Sequence, residues 1–224
     1  MNLYIIKMVI IETIDNILTL DEAEEIITFA KKKGMQRSTV KNFFNLVTPQ
    51  RTSTNTFMKQ SEFTESVDRI SDLVAKKTGY PVANQSWQIV NYKPGQKYEV
   101  HHDGFGRMYT MYIYLNTVSE GGETEFPELR KKIKPVLGKG ILWKNYTVEK
   151  WMGLGWMNKD IQATHAGLPP KQGEKWGLNV WIHDKKYWKS EHFNYSEKIR
   201  IFACYETCLL LLLVLLYLII FRYI

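Results

Sequence analysis

The stretch NYKPGQKYEVHHDGF, residues 91–105, contains two adjacent histidines and an aspartate directly after a strand-like run. Residues two apart on a β-strand point to the same side of the sheet, about 6.5 Å apart along the chain. His101 and Asp103 can therefore converge on one ion, whereas His102 points away. The stretch predicts a strand that ends in a pair of metal ligands.

A third ligand must come from a short list, because the chain has five histidines. His165, in ATHAGLP, lies on a later predicted strand and is the strongest candidate. His183, at the end of a strand, and His192, in a polar segment, rank behind it. Two imidazoles and one carboxylate are a ligand set that suits iron(II) and leaves three positions open. The spacing alone leaves open that His165 is a core histidine and that the HxD tripeptide is a coincidence.

Lys175 stands ten positions after His165, beyond Pro169-Pro170 and Gly173. It opens the predicted strand KWGLNVWIH, which we expect to lie beside the histidine strand. The lysine would then be buried, and a buried cation is unfavourable without an anion beside it. An acidic cosubstrate is the natural partner for it.

The residues after Pro81 read as short strands separated by turns. The predicted strands are SWQIVNY, KYEVHHD, MYTMYIYLN, TEFPE, GILWKN, ATHAGL and KWGLNVWIH. Short strands at this spacing are typical of a sandwich or barrel. The tract at residues 146–159, YTVEKWMGLGWMNK, fits neither a strand nor a helix pattern. It is predicted to be either a lid or binding loop, or an insertion without a function.

The N-terminal part of the chain predicts two packing helices. The first begins after Thr19, which stands at capping-box spacing from Glu22, and ends at Gly34. The second runs from about Thr64 to Lys77, where apolar residues recur at helical spacing. Helices followed by strands indicate an α+β fold.

The charge and the cysteines exclude some classes of protein. The chain has 224 residues and a formal net charge of +7, which is enough length for one domain with a core of its own. Its lysines are scattered among acidic residues, so a nucleic-acid-binding surface is not predicted. The two cysteines, Cys204 and Cys208, lie close together near the end, so no disulfide framework is predicted.

The segment at residues 204–224, CYETCLLLLLVLLYLIIFRYI, differs in composition from the rest. It has no charged residue from Leu209 to Phe221. A helix that extends back to Cys204 would be roughly 30 Å long, enough to cross a bilayer. We predict a C-terminal transmembrane tail anchor. The alternative is a helix that is buried or binds a partner.

Four blocks of the sequence resemble, in order, segments of the prolyl 4-hydroxylases, which are dioxygenases that depend on iron(II) and 2-oxoglutarate. The blocks are YKPGQKYEVHHDGF, YIYLNTVSEGGETEFPE, IKPVLGKGILWKN and THAGLPPKQGEKWGLNVWIH. The resemblance extends to MQRSTV and PQRTSTNTF and covers residues 14–184. In size the chain is similar to the small enzymes of algae and large DNA viruses. The resemblance implies an α+β fold with a double-stranded β-helix (jelly-roll) core.

The resemblance also implies a role for individual residues. The implied iron ligands are His101, Asp103 and His165. The implied cosubstrate pocket contains Lys175, which pairs with the distal carboxylate of 2-oxoglutarate, together with Tyr92, Thr124, Trp181 and, as an alternative source of a hydroxyl, Tyr114.

The implied reaction hydroxylates C4 of a peptidyl proline. It consumes O₂ and 2-oxoglutarate, releases succinate and carbon dioxide, and uses L-ascorbate to rescue oxidised iron. The expected partner is a proline-containing peptide or protein. Two alternatives remain open: the same chemistry on nucleic acid or a small molecule, and a non-catalytic, membrane-tethered β-barrel binding module.

The expected organisation has four parts. Residues 1–80 are predicted to be a helical support region, 81–190 the dioxygenase core, 191–203 a linker and 204–224 the membrane tail. The endoplasmic reticulum is the expected membrane. The family implies a lumenal catalytic domain, whereas a tail anchor with basic residues before it indicates the cytosolic side.

Overall fold

The computed structural model describes residues 11–40, 47–62, 64–82, 86–104, 106–151 and 154–183. The chain divides into two units, Met1–Asp184 and Lys185–Ile224, and every described residue belongs to the first. The predicted linker and membrane tail lie outside the described residues. Within the described part, no helix combines the length and the apolar character needed to cross a membrane.

Two α-helices form where the sequence predicts them, α1 (Leu20–Lys33) and α2 (Thr64–Thr78). The capping box of α1 is complete: the Glu22 backbone N–H donates to the Thr19 hydroxyl at 3.3 Å, and the Thr19 N–H donates to the Glu22 carboxylate at 2.8 Å. Gly34, with a φ of 93°, ends the helix. Both helices pack one apolar face against the largest sheet.

The described residues form thirteen strands. In chain order these are β1 (Glu12–Ile14), β2 (Gln36–Arg37), β3 (Thr54–Lys59), β4 (Ser86–Tyr92), β5 (Tyr98–His101), β6 (Arg107–Tyr114), β7 (Thr124–Phe126), β8 (Lys131–Ile133), β9 (Gly140–Lys144), β10 (Tyr146–Trp151), β11 (Leu154–Lys159), β12 (His165–Gly167) and β13 (Lys175–His183). The main sheet has the order β1-β9-β6-β13-β4-β3-β2, the smaller sheet has the order β5-β12-β7-β8, and β10 pairs with β11.

Two apolar clusters hold these layers together. One lies between the helices and the main sheet and includes Ile26 of α1 and Val67 of α2. The other joins Phe126 and Ile133 of the smaller sheet to Trp143 of the main sheet. Antiparallel sheets that bury their inner faces against each other give the jelly-roll core of the predicted α+β fold.

The prediction that the Lys175 strand lies beside the His165 strand is wrong. Strand β12 pairs with β5 and β7, whereas β13 pairs with β4 and β6. The connection between β12 and β13 passes from one sheet to the other, and Pro170 within it forms a bridge with Gly121. The lysine and the histidine therefore approach each other across the sandwich and not along a hydrogen-bonded ladder.

The tract at residues 146–159 is a β-hairpin, which corrects the prediction that it fits no strand. Tyr146 pairs with Lys159 and Trp151 pairs with Leu154. Among the described residues the hairpin forms its ladder only with itself. Strands β1 to β3 also join the main sheet, although they lie in the region predicted to be a helical support.

Candidate metal centre

Three predicted ligands converge where the ends of β5 and β12 meet. His101 lies opposite His165 in the antiparallel ladder, and the two ring centroids are 4.3 Å apart. Asp103 follows two residues after the end of β5. One nitrogen from each histidine and one oxygen of Asp103 all lie within 4.8 Å of one another. A single metal ion can therefore bind all three side chains.

Backbone carbonyls orient both imidazoles for metal binding. Nδ1 of His101 lies 2.8 Å from the carbonyl oxygen of Glu99, and Nδ1 of His165 lies 2.8 Å from that of Ala163. A carbonyl oxygen only accepts, so each Nδ1 carries the proton and donates it. Each Nε2 then keeps its lone pair for a metal, as in established histidine sites.

The surroundings favour the protonation states that bind metal. Burial lowers the pKa of His165 and, together with repulsion from His165, lowers that of His101 well below 6.5. Burial alone would raise the pKa of Asp103, but attraction to His165, Arg107 and His101 outweighs it and lowers that pKa. Neutral imidazoles and an ionised carboxylate are the ligand forms of these side chains.

A chain of buried hydrogen bonds leads to the Asp103 carboxylate. Trp143 Nε1 donates to Asn145 Oδ1 at 2.8 Å, and Asn145 Nδ2 donates to the Thr110 hydroxyl at 2.8 Å. The Thr110 hydroxyl in turn donates to Asp103 Oδ2. Because every donor in the chain points toward the carboxylate, the chain fixes the orientation of Asp103 relative to the two histidines.

We expect Thr110→Val to weaken metal binding, because valine keeps the shape of threonine but cannot hold the carboxylate. Loss of such an orienting partner typically weakens metal affinity about 10- to 100-fold. The Kd for Mn(II), followed by electron paramagnetic resonance, measures the effect, and Thr110→Ser should restore tight binding.

Thr56→Val is the matched control for this substitution. Thr56 is also a buried threonine of the main sheet, and it shares the helix-facing side of β3 with Met58. Equal Mn(II) affinities for Thr110→Val and Thr56→Val would contradict the orienting role of Thr110.

His102 points away from the metal ligands, as predicted. Its Nε2 lies 3.1 Å from the carbonyl oxygens of both Asn145 and Asp160. These two residues flank the hairpin of β10 and β11, so the ring fixes the base of the hairpin. His102 is thereby engaged on the other side of the strand and is not a ligand candidate.

A cavity of about 270 Å³ adjoins the three ligands. Its lining residues are Thr39, Arg51, Phe57, Gln88, Tyr92, Tyr98, His101, Asp103, Arg107, Tyr112, Thr124, Trp143, His165, Ala166, Gly167, Lys175, Asn179 and Trp181. Every predicted site residue is among them except Tyr114.

Lys175 is buried in the wall of this cavity, with 1% of its surface exposed. Its Nζ lies 5.2 Å from the ring centroid of Tyr92, 5.4 Å from that of Tyr112 and 5.5 Å from that of Tyr114. Burial lowers the pKa of Lys175 to about 7, although Glu123 acts to raise it. Within the described residues Lys175 forms no ion pair, so a bound acid would supply the missing negative charge.

Tyr114, the alternative source of a pocket hydroxyl, is the one predicted site residue that does not line the cavity. Its hydroxyl lies 2.7 Å from the Thr124 hydroxyl and 2.9 Å from the Ile133 carbonyl oxygen, so it is engaged between the sheets. Tyr112, two residues earlier on the same face of β6, lines the cavity instead.

Two arginines that line the cavity were not among the predicted site residues. The Arg51 guanidinium lies 4.7 Å from the ring centroid of Tyr98, and that of Arg107 lies 3.7 Å from the ring centroid of Trp181. Arg107 Nη1 is also 3.7 Å from Asp103 Oδ1. For Arg51 a signal was present, because it lies in PQRTSTNTF, one of the segments that carried the resemblance.

Comparison with known proteins identifies similar sequences. Residues 87–183 match the family model of the 2OG-Fe(II) oxygenase superfamily. The chain is 30% identical over 197 residues to probable prolyl 4-hydroxylase 8 of Arabidopsis thaliana. The matched region covers 77% of this chain and 68% of that protein. It is 32% identical over 194 residues to prolyl 4-hydroxylase 5 of the same plant, which covers 75% of this chain and 66% of the relative.

Two solved structures are also similar to this chain. The viral collagen prolyl hydroxylase vCPH of Paramecium Bursaria Chlorella virus-1, solved as a 2OG complex, is 31% identical and superposes with a TM-score of 0.59, covering 77% of this chain and 94% of that one. A prolyl hydroxylase of Trichoplax adhaerens in complex with a hypoxia inducible factor peptide fragment has a TM-score of 0.59 at 17% identity, covers 79% of this chain and 84% of that one, and shares the fold.

Proposed function

Because the chain belongs to the prolyl 4-hydroxylase family of 2OG-Fe(II) oxygenases, we propose that it hydroxylates C4 of a peptidyl proline at an iron(II) ion held by His101, Asp103 and His165. The observation that carries this proposal is the convergence of the three ligand atoms within 4.8 Å, with both Nε2 atoms left free by the carbonyls that fix the rings. This donor set fits iron(II), which accepts imidazole and carboxylate together.

Iron(II), when bound, supplies the redox chemistry by which one O₂ and one 2-oxoglutarate yield succinate, carbon dioxide and one hydroxylated proline. One oxygen atom of O₂ enters succinate and the other enters the proline C–H bond, so atoms and electrons balance. L-ascorbate is proposed to return oxidised iron to the ferrous state, and this part rests on the family resemblance alone.

The protein's own residues bind and orient the reactants and exclude water. Lys175 is proposed to pair with the distal carboxylate of 2-oxoglutarate, with Tyr92 and Thr124 lining the same cavity. Lys175 and iron(II) together carry three positive charges. These balance the one negative charge of Asp103 and the two of 2-oxoglutarate. Burying a neutral assembly of this kind is less unfavourable than burying each charge alone.

The aromatic lining supports a proline-containing peptide as the substrate. Tyr98, Trp181 and the partly exposed Phe57 line the cavity, and proline-rich segments bind characteristically in aromatic-lined grooves. Gln88, which accepts from Arg51 at 3.0 Å, adds polar groups that can hydrogen-bond a peptide backbone.

Incubation of the full chain with iron(II), 2-oxoglutarate, ascorbate and a panel of proline peptides tests the proposal. We expect mass spectrometry to find one added oxygen atom per modified proline, with one succinate released for each. Peptides that carry 4-hydroxyproline from the start are the matched control and should not stimulate succinate release. Turnover stimulated by an oligonucleotide or a small molecule, but by no proline peptide, would contradict the assigned substrate.

We also propose that residues 204–224 anchor the chain in a membrane, with the endoplasmic reticulum as the expected location. The uncharged run from Leu209 to Phe221 in the sequence supports this proposal. A fluorescence protease-protection assay with a tag at the N-terminus would show on which side the catalytic part lies. A tagged chain that is extracted from membranes by carbonate would contradict the anchor.

A further inference from the structure

We propose that Tyr112 is a second anchor for the acidic cosubstrate, and that its hydroxyl donates a hydrogen bond to the distal carboxylate beside Lys175. This inference rests on the proposed function, because it concerns the same cavity and the same acid. It adds a specificity-determining residue at a position that the sequence patterns did not indicate.

The Tyr112 hydroxyl is a buried polar group that lacks a partner. The residue is 6% exposed, and within the described residues its oxygen forms no hydrogen bond. The same side chain lines the cavity. Native proteins seldom leave a buried hydroxyl unpaired, because doing so forfeits its hydration without compensation. A hydroxyl in this position therefore indicates a ligand atom in the cavity.

Gly177 creates the space that the Tyr112 ring occupies. A Cβ atom at Gly177 would overlap the hydroxyl oxygen and the adjacent ring carbon of Tyr112. On β13, residues two apart share a face, so Lys175, Gly177 and Asn179 lie in a row, and Lys175 and Asn179 both line the cavity. The phenol thus lies over the gap in this row, between a cation and an amide.

The Tyr112 phenol lies beside Lys175, where a carboxylate would meet both a cation and a hydrogen-bond donor. The Lys175 Nζ is 5.4 Å from the centroid of the Tyr112 ring, so the ammonium group and the phenol lie side by side. In the proposed complex the two oxygens of one carboxylate would accept from both groups. Burial, and then the neighbouring Tyr92 and Tyr114, raise the pKa of Tyr112 well above 10. The phenol therefore keeps its proton at neutral pH and acts as a donor.

Among the described residues the Tyr112 hydroxyl lacks a partner, whereas that of Tyr114, two residues later on β6, has two. The Tyr114 hydroxyl is satisfied by Thr124 and Ile133, so it has no need of a ligand. Both tyrosines flank Lys175, but of the two only Tyr112 lines the cavity and has a hydroxyl that no described residue satisfies. The two residues therefore have separate roles, one in ligand binding and one in joining the sheets.

Tyr112→Phe tests the proposal, because it removes one oxygen atom and keeps the ring over Gly177. In Mn(II)-loaded protein, calorimetry should show the 2-oxoglutarate affinity reduced about 10- to 100-fold, the effect of losing a hydrogen bond to a charged group. Binding of 2-oxobutyrate, which has the same chelating end but no distal carboxylate, should not change. Tyr109→Phe, on the opposite face of β6, is the control and should match the wild type with both acids.

A second variant tests the same point without altering the tyrosine. Gly177→Ala displaces the phenol and should give the same loss for 2-oxoglutarate and none for 2-oxobutyrate. Wild-type affinity for 2-oxoglutarate in Tyr112→Phe, or equal losses for both acids, would overturn the assignment of Tyr112. Failure of the wild type to bind Mn(II) and 2-oxoglutarate would instead overturn the proposed function, so the two failures are distinguishable.

Discussion

Lys175→Met is expected to make the protein more stable and, at the same time, unable to bind 2-oxoglutarate tightly. Burial lowers the Lys175 pKa from its ordinary 10.5 to about 7. The unfolded chain therefore binds the Lys175 proton more strongly than the folded chain does. At low pH this difference lowers the free energy of unfolding by about 5 kcal/mol. Methionine fills similar space without a charge, so the variant loses this penalty.

The sign of the pH dependence follows from the lowered pKa. Below about pH 7 the buried lysine is charged, and the folded protein is destabilised by the full amount. This destabilisation disappears as the pH rises toward 10.5, where Lys175 is neutral in both the folded and the unfolded chain. We therefore expect the melting temperature of Lys175→Met to exceed that of the wild type by several degrees at pH 6, with a difference that shrinks at pH 9. Calorimetric scans of both proteins at the two pH values measure this.

Cosubstrate binding should change in the opposite direction. Removing one partner of a buried charge pair typically costs 2–5 kcal/mol, so the Kd for 2-oxoglutarate should rise by about 30-fold to more than 1,000-fold. Lys171→Met is the matched control, because Lys171 is an exposed lysine of the same connection that pairs with Glu120 at 2.6 Å. It should alter neither property. A Lys175→Met protein that is more stable but still binds 2-oxoglutarate like the wild type would remove the lysine from the site.

Asp103→Asn is expected to abolish metal binding while leaving the fold in place. Asparagine has the same shape and can still accept from the Thr110 hydroxyl, but it lacks the negative charge that a metal ion needs. Loss of an orienting partner costs about 10- to 100-fold in affinity, so loss of a ligand charge should cost more than about 100-fold. Mn(II) titration measures this, and peptide hydroxylation should fall with it.

Asp15→Asn is a suitable control for the Asp103 variant, because Asp15 is an exposed carboxylate that pairs with Lys139 at 3.4 Å on the surface. It should bind Mn(II) like the wild type. Circular dichroism of metal-free Asp103→Asn should match the wild type. Retention of Mn(II) affinity within a few-fold of the wild type would show that the metal lies elsewhere.

Local rules predicted the parts of the fold that depend on neighbours in the chain. The capping pair of Thr19 and Glu22 marked the start of α1, and the strand-like runs SWQIVNY and KWGLNVWIH marked β4 and β13 at their observed limits. Parity along the strand separated His102 from His101 and Asp103, because the direction of a side chain in a strand depends only on its position.

Other features depend on partners that the sequence does not reveal. The hairpin of β10 and β11 was missed because it pairs only with itself among the described strands, and its sequence, YTVEKWMGLGWMNK, lacks the residue pattern of a strand. The sequence also gave no means to choose between Tyr112 and Tyr114, which share one face of β6. Gly177, on the adjacent strand β13, makes room for the Tyr112 ring. Thr124 instead satisfies the hydroxyl of Tyr114.

We expect one iron(II) ion to be bound jointly by His101, Asp103 and His165. Anomalous diffraction at the iron edge, from crystals of the full chain grown with iron(II) and 2-oxoglutarate without oxygen, tests it most directly. The predicted result is a single peak within bonding distance of both histidine Nε2 atoms and an Asp103 oxygen. A peak that lacks any one of these three ligands, or no peak at this position, would contradict it.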